Sequence, residues 1–253
     1  MNIVMLGSGN VATHLGKALQ RAGHNILEVW SKTFENARIL ASLLQAEAVA
    51  NVSKISRQAD IYIISVSDDV IADVAALISA TDKLIIHTSG STEIEILKPY
   101  SQRYGVLYPL QTFSKKQEVD FKEIPLVLEG SSKEVELVLK EMALRLSSNV
   151  HFLNSNQRRI LHLAAVFACN FTNHLYALAD NLLKENNLKF DLVRPLITET
   201  ARKVQHNNPV SVQTGPAARN DKKTIDKHLE LLRDHPELQD IYKLLSQSIV
   251  NLN

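Results

Sequence analysis

The 253-residue chain has a single cysteine, Cys169, a single tryptophan and only 6% aromatic residues. One cysteine cannot build an internal disulfide framework. Its place in an apolar run predicts a buried core thiol rather than a nucleophile. An excess of either charge is missing too. With 28 Lys and Arg against 27 Asp and Glu, the net charge is +1, so no strong field points to nucleic acid or an acidic membrane as a partner. No run approaches the ~18 uninterrupted apolar residues of a membrane span. No basic leader with an apolar segment and cleavage site precedes the first apolar run. Internal repeats and low-complexity tracts are absent. The expectation is a cytoplasmic globular protein of one large or two ordinary domains.

The most informative segment is residues 1–12, MNIVMLGSGNVA. Ile3–Leu6 is a short apolar run that reads as a buried strand. It passes directly into Gly7-Ser8-Gly9-Asn10-Val11-Ala12, after which a helical pattern starts. G-x-G-x-x-A between a strand and a helix is the context a dinucleotide fingerprint requires. Gly7 allows the tight turn. Gly9 lets backbone approach a pyrophosphate, and Ala12 lets the helix pack closely on the strand. The first-turn N–H groups and the helix dipole then favour phosphate.

Strand and helix patterns alternate up to about residue 153. Strand candidates are 2–6, 25–30, 48–50, 61–66, 84–88, 105–108, 126–128 and 151–153. Helical patterns fall at 10–21, 34–44, 69–78 and 133–146. Such alternation predicts an α/β domain, a Rossmann-type mostly parallel sheet with helices on both faces. Beyond about 155 the strand signals stop. Helical patterns at 156–184, 190–205, 224–233 and 237–252 predict an all-α domain. The expected division is 1–153 and 154–253.

NAD readers carry an acid at the tip of the second strand to hold the ribose 2′-OH. Here Ser31-Lys32-Thr33 follows that strand, and a hydroxyl and a cation suit a 2′-phosphate. The expected cofactor is therefore NADP, with Glu28 inside the strand as the nearby rival and a solvated loop lysine as the plain alternative for Lys32. Other loops at the carboxyl ends of strands are candidates for cofactor or substrate. Val66 and Ser67 could pass beside the nicotinamide ribose, with Ser67, Asp68 and Asp69 also readable as helix caps. Thr88 and Ser89 could hydrogen-bond a ligand, while Ser91 or Thr92 could cap with Glu95. Gln111 and Thr112 have no evident helix to cap, which favours a substrate role.

Residues 160–171 are apolar nearly all round, which predicts a buried helix whose polar members must find partners. At 100° per residue Asn173 lies about 20° from His162, and Asn170 about 80°. These three could line one cleft, or be satisfied core residues. In Thr214-Gly215-Pro216-Ala217-Ala218-Arg219-Asn220-Asp221, Arg219 could clamp an anion or pair with Asp221 to hold the loop.

The glycine loop, Tyr108-Pro109-Leu110-Gln111-Thr112-Phe113, His162-Leu163-Ala164-Ala165-Val166-Phe167 and Thr214-Gly215-Pro216 together carry a resemblance. The chain resembles, over nearly its whole length, bacterial Rossmann-like proteins with a C-terminal helical domain of uncharacterised function, a group labelled as NADP oxidoreductases. These are similar in architecture to pyrroline-5-carboxylate reductase, ketopantoate reductase and the 6-phosphogluconate dehydrogenase-like 3-hydroxyacid dehydrogenases. The resemblance implies a 6-phosphogluconate dehydrogenase C-terminal-like helical domain that forms a homodimer interface, with a small-molecule substrate in the interdomain cleft. One departure stands out. Ketopantoate reductase and the hydroxyacid dehydrogenases carry Lys-x-x-x-Asn on the long helix; here Asn170 matches the Asn, but Val166 stands at the lysine position. His162, one turn earlier, is the candidate proton donor, because an imidazole titrates near neutral pH. Asn170, Asn173 and Gln111 would orient substrate, and Arg219 would neutralise an anionic group. The expectation is an NADP-dependent oxidoreductase acting on a small C=O or C=N substrate. The rival, favoured by the absent lysine, is a non-catalytic dimeric NADP(H) sensor or partner module.

Overall fold

The computed structural model describes residues 1–78 and 82–252. Eight strands form one sheet: β1 (Asn2–Leu6), β2 (Asn25–Trp30), β3 (Glu47–Val49), β4 (Ile61–Ile64), β5 (Leu84–His87), β6 (Tyr104–Pro109), β7 (Leu126–Gly130) and β8 (Val150–Phe152). Their order is β3-β2-β1-β4-β5-β6-β7-β8. All neighbours pair parallel except β6 and β7, which are antiparallel. Every strand expected from the sequence is present. The order reverses direction at β1/β4, and such a switch point opens a crevice at the carboxyl ends of those strands.

The central strands are apolar throughout because both faces are covered. Ile3, Met5, Ile61, Ile63, Leu84 and Ile86 point to one face, where Leu15 and Leu19 of helix α1 (Asn10–Arg21), Leu40 of α2 (Phe34–Leu43) and Leu139 of α4 (Lys133–Leu144) pack. Val4, Leu6, Tyr62, Ile64 and Ile85 point to the other, against Ile71, Val74 and Ala75 of α3 (Ile71–Leu77). This is the period-2 consequence of the pleat. Between Ile3 and Val4 the pairing of β1 with β2 slips by one residue. The slip sends Val29 to the first face and Trp30 to the second.

After β8, Asn154 caps helix α5 (Ser155–Ala165) reciprocally with Gln157: the Gln157 N–H donates to Asn154 Oδ1 and the Asn154 N–H to Gln157 Oε1, both at 3.0 Å. This capping box fixes where α5 begins. A six-residue π turn, Val166–Phe171, then interrupts what the sequence reads as one helix, and α6 (Thr172–Glu185) follows. The remaining helices are α7 (Arg194–His206), α8 (Lys222–Leu231) and α9 (Pro236–Leu252).

The chain forms two compact units, residues 1–170 and 171–253. The second, taken over its described residues, is helical with short 3-10 turns. No described helix is long and apolar enough to cross a membrane.

Two expectations of burial need correction. Ile160, Leu163 and Phe167 are 67%, 52% and 62% exposed rather than buried. Cys169, expected in a core, is exposed as well. An apolar sequence shows which side chains avoid water. It does not show whether their cover comes from the same chain.

Candidate functional site

Beyond the carboxyl ends of β1, β2, β4, β5 and β6 lies a cleft of about 810 Å³ whose lining residues run from Gly7 in the glycine loop to His162 on α5. The glycine loop forms one end. Gly7 has φ +123°, and a Cβ there would sit 2.0 Å from the Ser65 carbonyl oxygen. Only glycine fits, because β4 passes directly behind the turn. A Cβ on Gly9 would meet nothing within 4 Å, so its open side faces free space. Gly9 is also the N-cap of α1 and gives that end no side-chain hydrogen bond. Ala12 is fully buried beneath, which lets α1 pack close to the sheet. Free first-turn amides, a positive dipole end and an unfilled approach fit a dinucleotide diphosphate.

Ser31 and Lys32 also line the cleft. Ser8 Oγ donates to Ser31 Oγ at 2.8 Å, tying the glycine loop to the end of β2. Lys32 is exposed. Glu28, the rival reader of a ribose, accepts the Ser56 N–H at 2.8 Å and lies outside the lining.

Val66, Ser67, Thr88, Ser89, Gln111 and His162 complete the expected residues found here. Ser67 stands at a cap position without capping, and Asp68 instead accepts a short hydrogen bond from Ser91. Thr88 bonds Ser65 at 2.9 Å. The Ser89 hydroxyl takes the N–H groups of Ser91 and Thr92 at 3.1 and 2.9 Å, so it is the turn's own cap. Gln111 Oε1 accepts the N–H of Thr112 at 2.8 Å. Asn10 reaches away, donating to the Phe113 carbonyl at 2.8 Å.

Ala12, Thr112, Asn170, Asn173 and Arg219 are not among the lining residues. The 100° wheel does not carry from His162 to Asn173, because residues in the wider π turn rotate by less than that. Asn173 lines a separate hollow of about 400 Å³ within the second unit, with Tyr176 and Arg194. Asp221 makes no close ion pair with Arg219. It caps α8, accepting the Thr224 N–H and hydroxyl at 3.1 and 2.8 Å, and those bonds hold its carboxyl below the usual range, with the Arg219 charge adding to the lowering of its pKa.

The roles of Tyr108, Gly90, Arg158, Glu129 and His87 escaped the sequence reading. His162 Nδ1 lies 2.9 Å from Tyr108 Oη, with the rings edge-on at 5.8 Å. Burial pushes the Tyr108 hydroxyl above its usual pKa. Gly90 makes the pair possible: a Cβ there would stand 2.6 Å from His162 Nδ1 and 2.7 Å from Tyr108 Cζ. One turn before His162, Arg158 is fully buried. Its Nη1 donates to the Ser89 and Thr92 carbonyls at 3.0 and 2.7 Å. Its Nη2 donates to Glu129 Oε2 and Ser155 Oγ at 2.9 and 3.0 Å. Glu129 also accepts the Ser155 N–H and hydroxyl, each at 2.8 Å. An arginine in the first turns of a helix, where the dipole disfavours a cation, was the available signal. His87, at the end of β5, is fully buried. Its Nδ1 accepts the Ser89 N–H at 3.1 Å. Burial first, and then the Arg158 charge, push it down to about 3, so it is neutral.

Residues 1–112 match the model of a Rossmann-like domain, and residues 124–249 that of a domain of unknown function, DUF2520. The crystal structure of a "putative NADP oxidoreductase" from Bacteroides fragilis is 47% identical, with 99% of this chain and 98% of that one covered and a TM-score of 0.94. The chain belongs to this family of Rossmann-like DUF2520 proteins. A Thermotoga maritima protein is 21% identical, with 99% and 97% covered and a TM-score of 0.75. A 1-pyrroline-5-carboxylate reductase from Streptococcus pyogenes is 14% identical, with 99% and 97% covered and a TM-score of 0.65. At those identities the likeness shows the fold. No curated protein matches the sequence. The DUF2520 match begins just before β7, so it takes in Glu129 and α5 of the first unit as well as the helices of the second.

Two outcomes test the site's supports. Arg158→Met leaves the Glu129 carboxylate without its cation and should cost about 3 kcal/mol in urea unfolding, with much of the loss recovered in Glu129→Leu/Arg158→Met. A loss under about 1 kcal/mol would contradict the pairing. His87 binds its proton near pH 6.5 when unfolded and near 3 when folded. The stabilising contribution is therefore complete above pH 6.5 and drains as pH falls, by up to ~1.4 kcal/mol per pH unit. His24, also held below its usual value by burial, acts in the same direction. The unfolding free energy should fall between pH 7 and 5, and His87→Asn should flatten that slope. An unchanged slope would mean that His87 is not buried neutral.

Proposed function

We propose that this protein is an NADP(H)-dependent oxidoreductase that acts on a small C=O or C=N substrate. The observation that carries the reading is one cleft joining an open glycine loop and Lys32 to the His162–Tyr108 pair. Gly7–Ala12 would hold the diphosphate through backbone amides, with Ser31 and Lys32 at the 2′-phosphate. The occupation of Glu28 by Ser56 supports NADP over NAD. The name of the 47%-identical Bacteroides fragilis protein supports the same class. When bound, NADPH supplies the reducing equivalents. The protein's own part is position and protons. Val66 and Ser67 flank the cofactor, Gln111 meets substrate, and His162 Nε2 delivers a proton. Asn170, Asn173 and Arg219 are proposed to contact the substrate.

We further propose a homodimer. Ile160, Leu163 and Phe167 of α5 and the π turn are large apolar side chains, each more than half exposed. Exposed apolar side chains of this kind suit an interface, and a second copy carries the same ones.

Calorimetry should show micromolar NADPH binding to the nucleotide-free protein and much weaker NADH binding. Lys32→Ala should weaken NADPH about tenfold and NADH little, since a charge-assisted contact is worth ~1.5 kcal/mol or more. Equal weakening would sink the NADP assignment, and no binding of either nucleotide would end the oxidoreductase reading. Light scattering should give twice the chain mass, and Leu163→Glu/Phe167→Glu should give a folded monomer. A wild-type monomer would remove the dimer.

A further inference from the structure

Resting on the oxidoreductase reading, we propose that Tyr108 positions the His162 ring so that its cleft-side nitrogen bears a proton in the resting protein, and that the substrate is therefore a ketone or aldehyde rather than an iminium. The argument starts from what each atom can donate or accept. Nδ1 of His162 is engaged by Tyr108 Oη at 2.9 Å. No described residue bonds Nε2, and His162 lines the cleft. A phenol can donate or accept. In the proposed arrangement of the neutral ring, Tyr108 donates to Nδ1 and the ring's proton resides on Nε2, the opposite of the tautomer in which Nδ1–H donates to Oη. When the ring is charged, Nδ1–H donates to Oη and Nε2 again carries a proton. Burial favours the protonated form of Tyr108, so the phenol is present in both states. Gly90 holds the two rings together, because any side chain there would displace them.

An Nε2–H aimed into the cleft meets a carbonyl oxygen as donor to acceptor. It meets an iminium N–H or N-alkyl cation as donor against donor or charge against charge. The sequence requirement follows too. An iminium arrives already protonated, whereas a reduced carbonyl must gain a proton on oxygen. NADPH, when bound, would supply the hydride to the carbonyl carbon and be oxidised to NADP+. The C=O π pair would move onto oxygen, which takes the Nε2 proton of the charged imidazolium; the ring is left neutral with its proton on Nδ1 toward Tyr108 Oη, until water restores the proton on Nε2. The other charged groups near the pair are Asp68, held by Ser91, and Arg158, held by Glu129. Tyr108 is a positioning residue, because it acts through the ring.

The first test needs no substrate. In 15N-histidine-labelled protein without nucleotide, long-range 15N–1H spectra should show neutral His162 with Nε2 protonated and Nδ1 as a hydrogen-bonded acceptor. Tyr108→Phe should move the Nδ1 resonance to that of an unbonded nitrogen. A proton on Nδ1 in the neutral ring, or an unmoved resonance, overturns the positioning role. The second test uses the intact protein with NADPH and three probe sets: aliphatic and aryl aldehydes, the matching ketones, and an N-methylated cyclic iminium salt. Turnover of a carbonyl probe should fall about 10²–10⁴-fold in His162→Gln. In Tyr108→Phe it should fall about tenfold with an altered pH profile, while the NADPH Kd stays unchanged. Reduction of the iminium salt alone overturns the substrate class but keeps the oxidoreductase reading. An NADPH-loaded protein that reduces no probe overturns both, and the sensor reading then stands.

Discussion

The buried ion pair between Arg158 and Glu129 is the interaction on which the rest of the site depends. The Arg158 side chain is fully buried and the Glu129 side chain nearly so. Removing two charges from water costs several kcal/mol each, and geometry must offset it. Here the guanidinium makes four hydrogen bonds and the carboxylate three. The pair draws together the end of β7, the turn after β5 and the start of α5. His162 follows Arg158 by four residues, on the same face of the helix. The charge pair therefore fixes where the imidazole sits as well as holding the fold.

The same cluster sets the electrostatics. His87, beside a permanent guanidinium and out of reach of solvent, cannot hold a proton at neutral pH. It serves as a neutral acceptor for the Ser89 amide, and Ser89 in turn offers its carbonyl to Arg158 and its hydroxyl to the backbone of the turn. Most polar groups in this layer shape the turn, whereas Arg158 Nε and His87 Nε2 are buried with no hydrogen-bond partner among the described residues. His162 and Tyr108 line the cleft together with the carboxylates of Asp68, Asp69 and Asp73, and Lys32 lines it as an exposed cation.

Much of this was legible in the sequence because the relevant signals were local. The eight strands and α1 follow from apolar runs and the glycine turn, and α1 begins and ends where its pattern does. Gly7 was assigned correctly to the turn, although the close passage of Ser65 behind it is a tertiary fact. The Tyr108–His162 contact spans 54 residues and the Arg158–Glu129 contact 29, beyond any periodicity. The π turn defeated the helical wheel, since nothing in Val166–Phe171 marks the change of pitch. The apolar surface of α5 was read as core for a related reason: composition reports an aversion to water, and the cover can come from a second chain.

The central claim is that one nucleotide spans this cleft from Lys32 to His162. A crystal structure of the complex with NADP+ tests it most directly. The account predicts diphosphate on the amides of Gly9–Ala12, the 2′-phosphate on Ser31 and Lys32, and the nicotinamide ring within ~4 Å of the space before His162 Nε2, near enough for a reacting substrate between them. A nucleotide bound elsewhere, or lying in the cleft with its nicotinamide remote from His162, would contradict it.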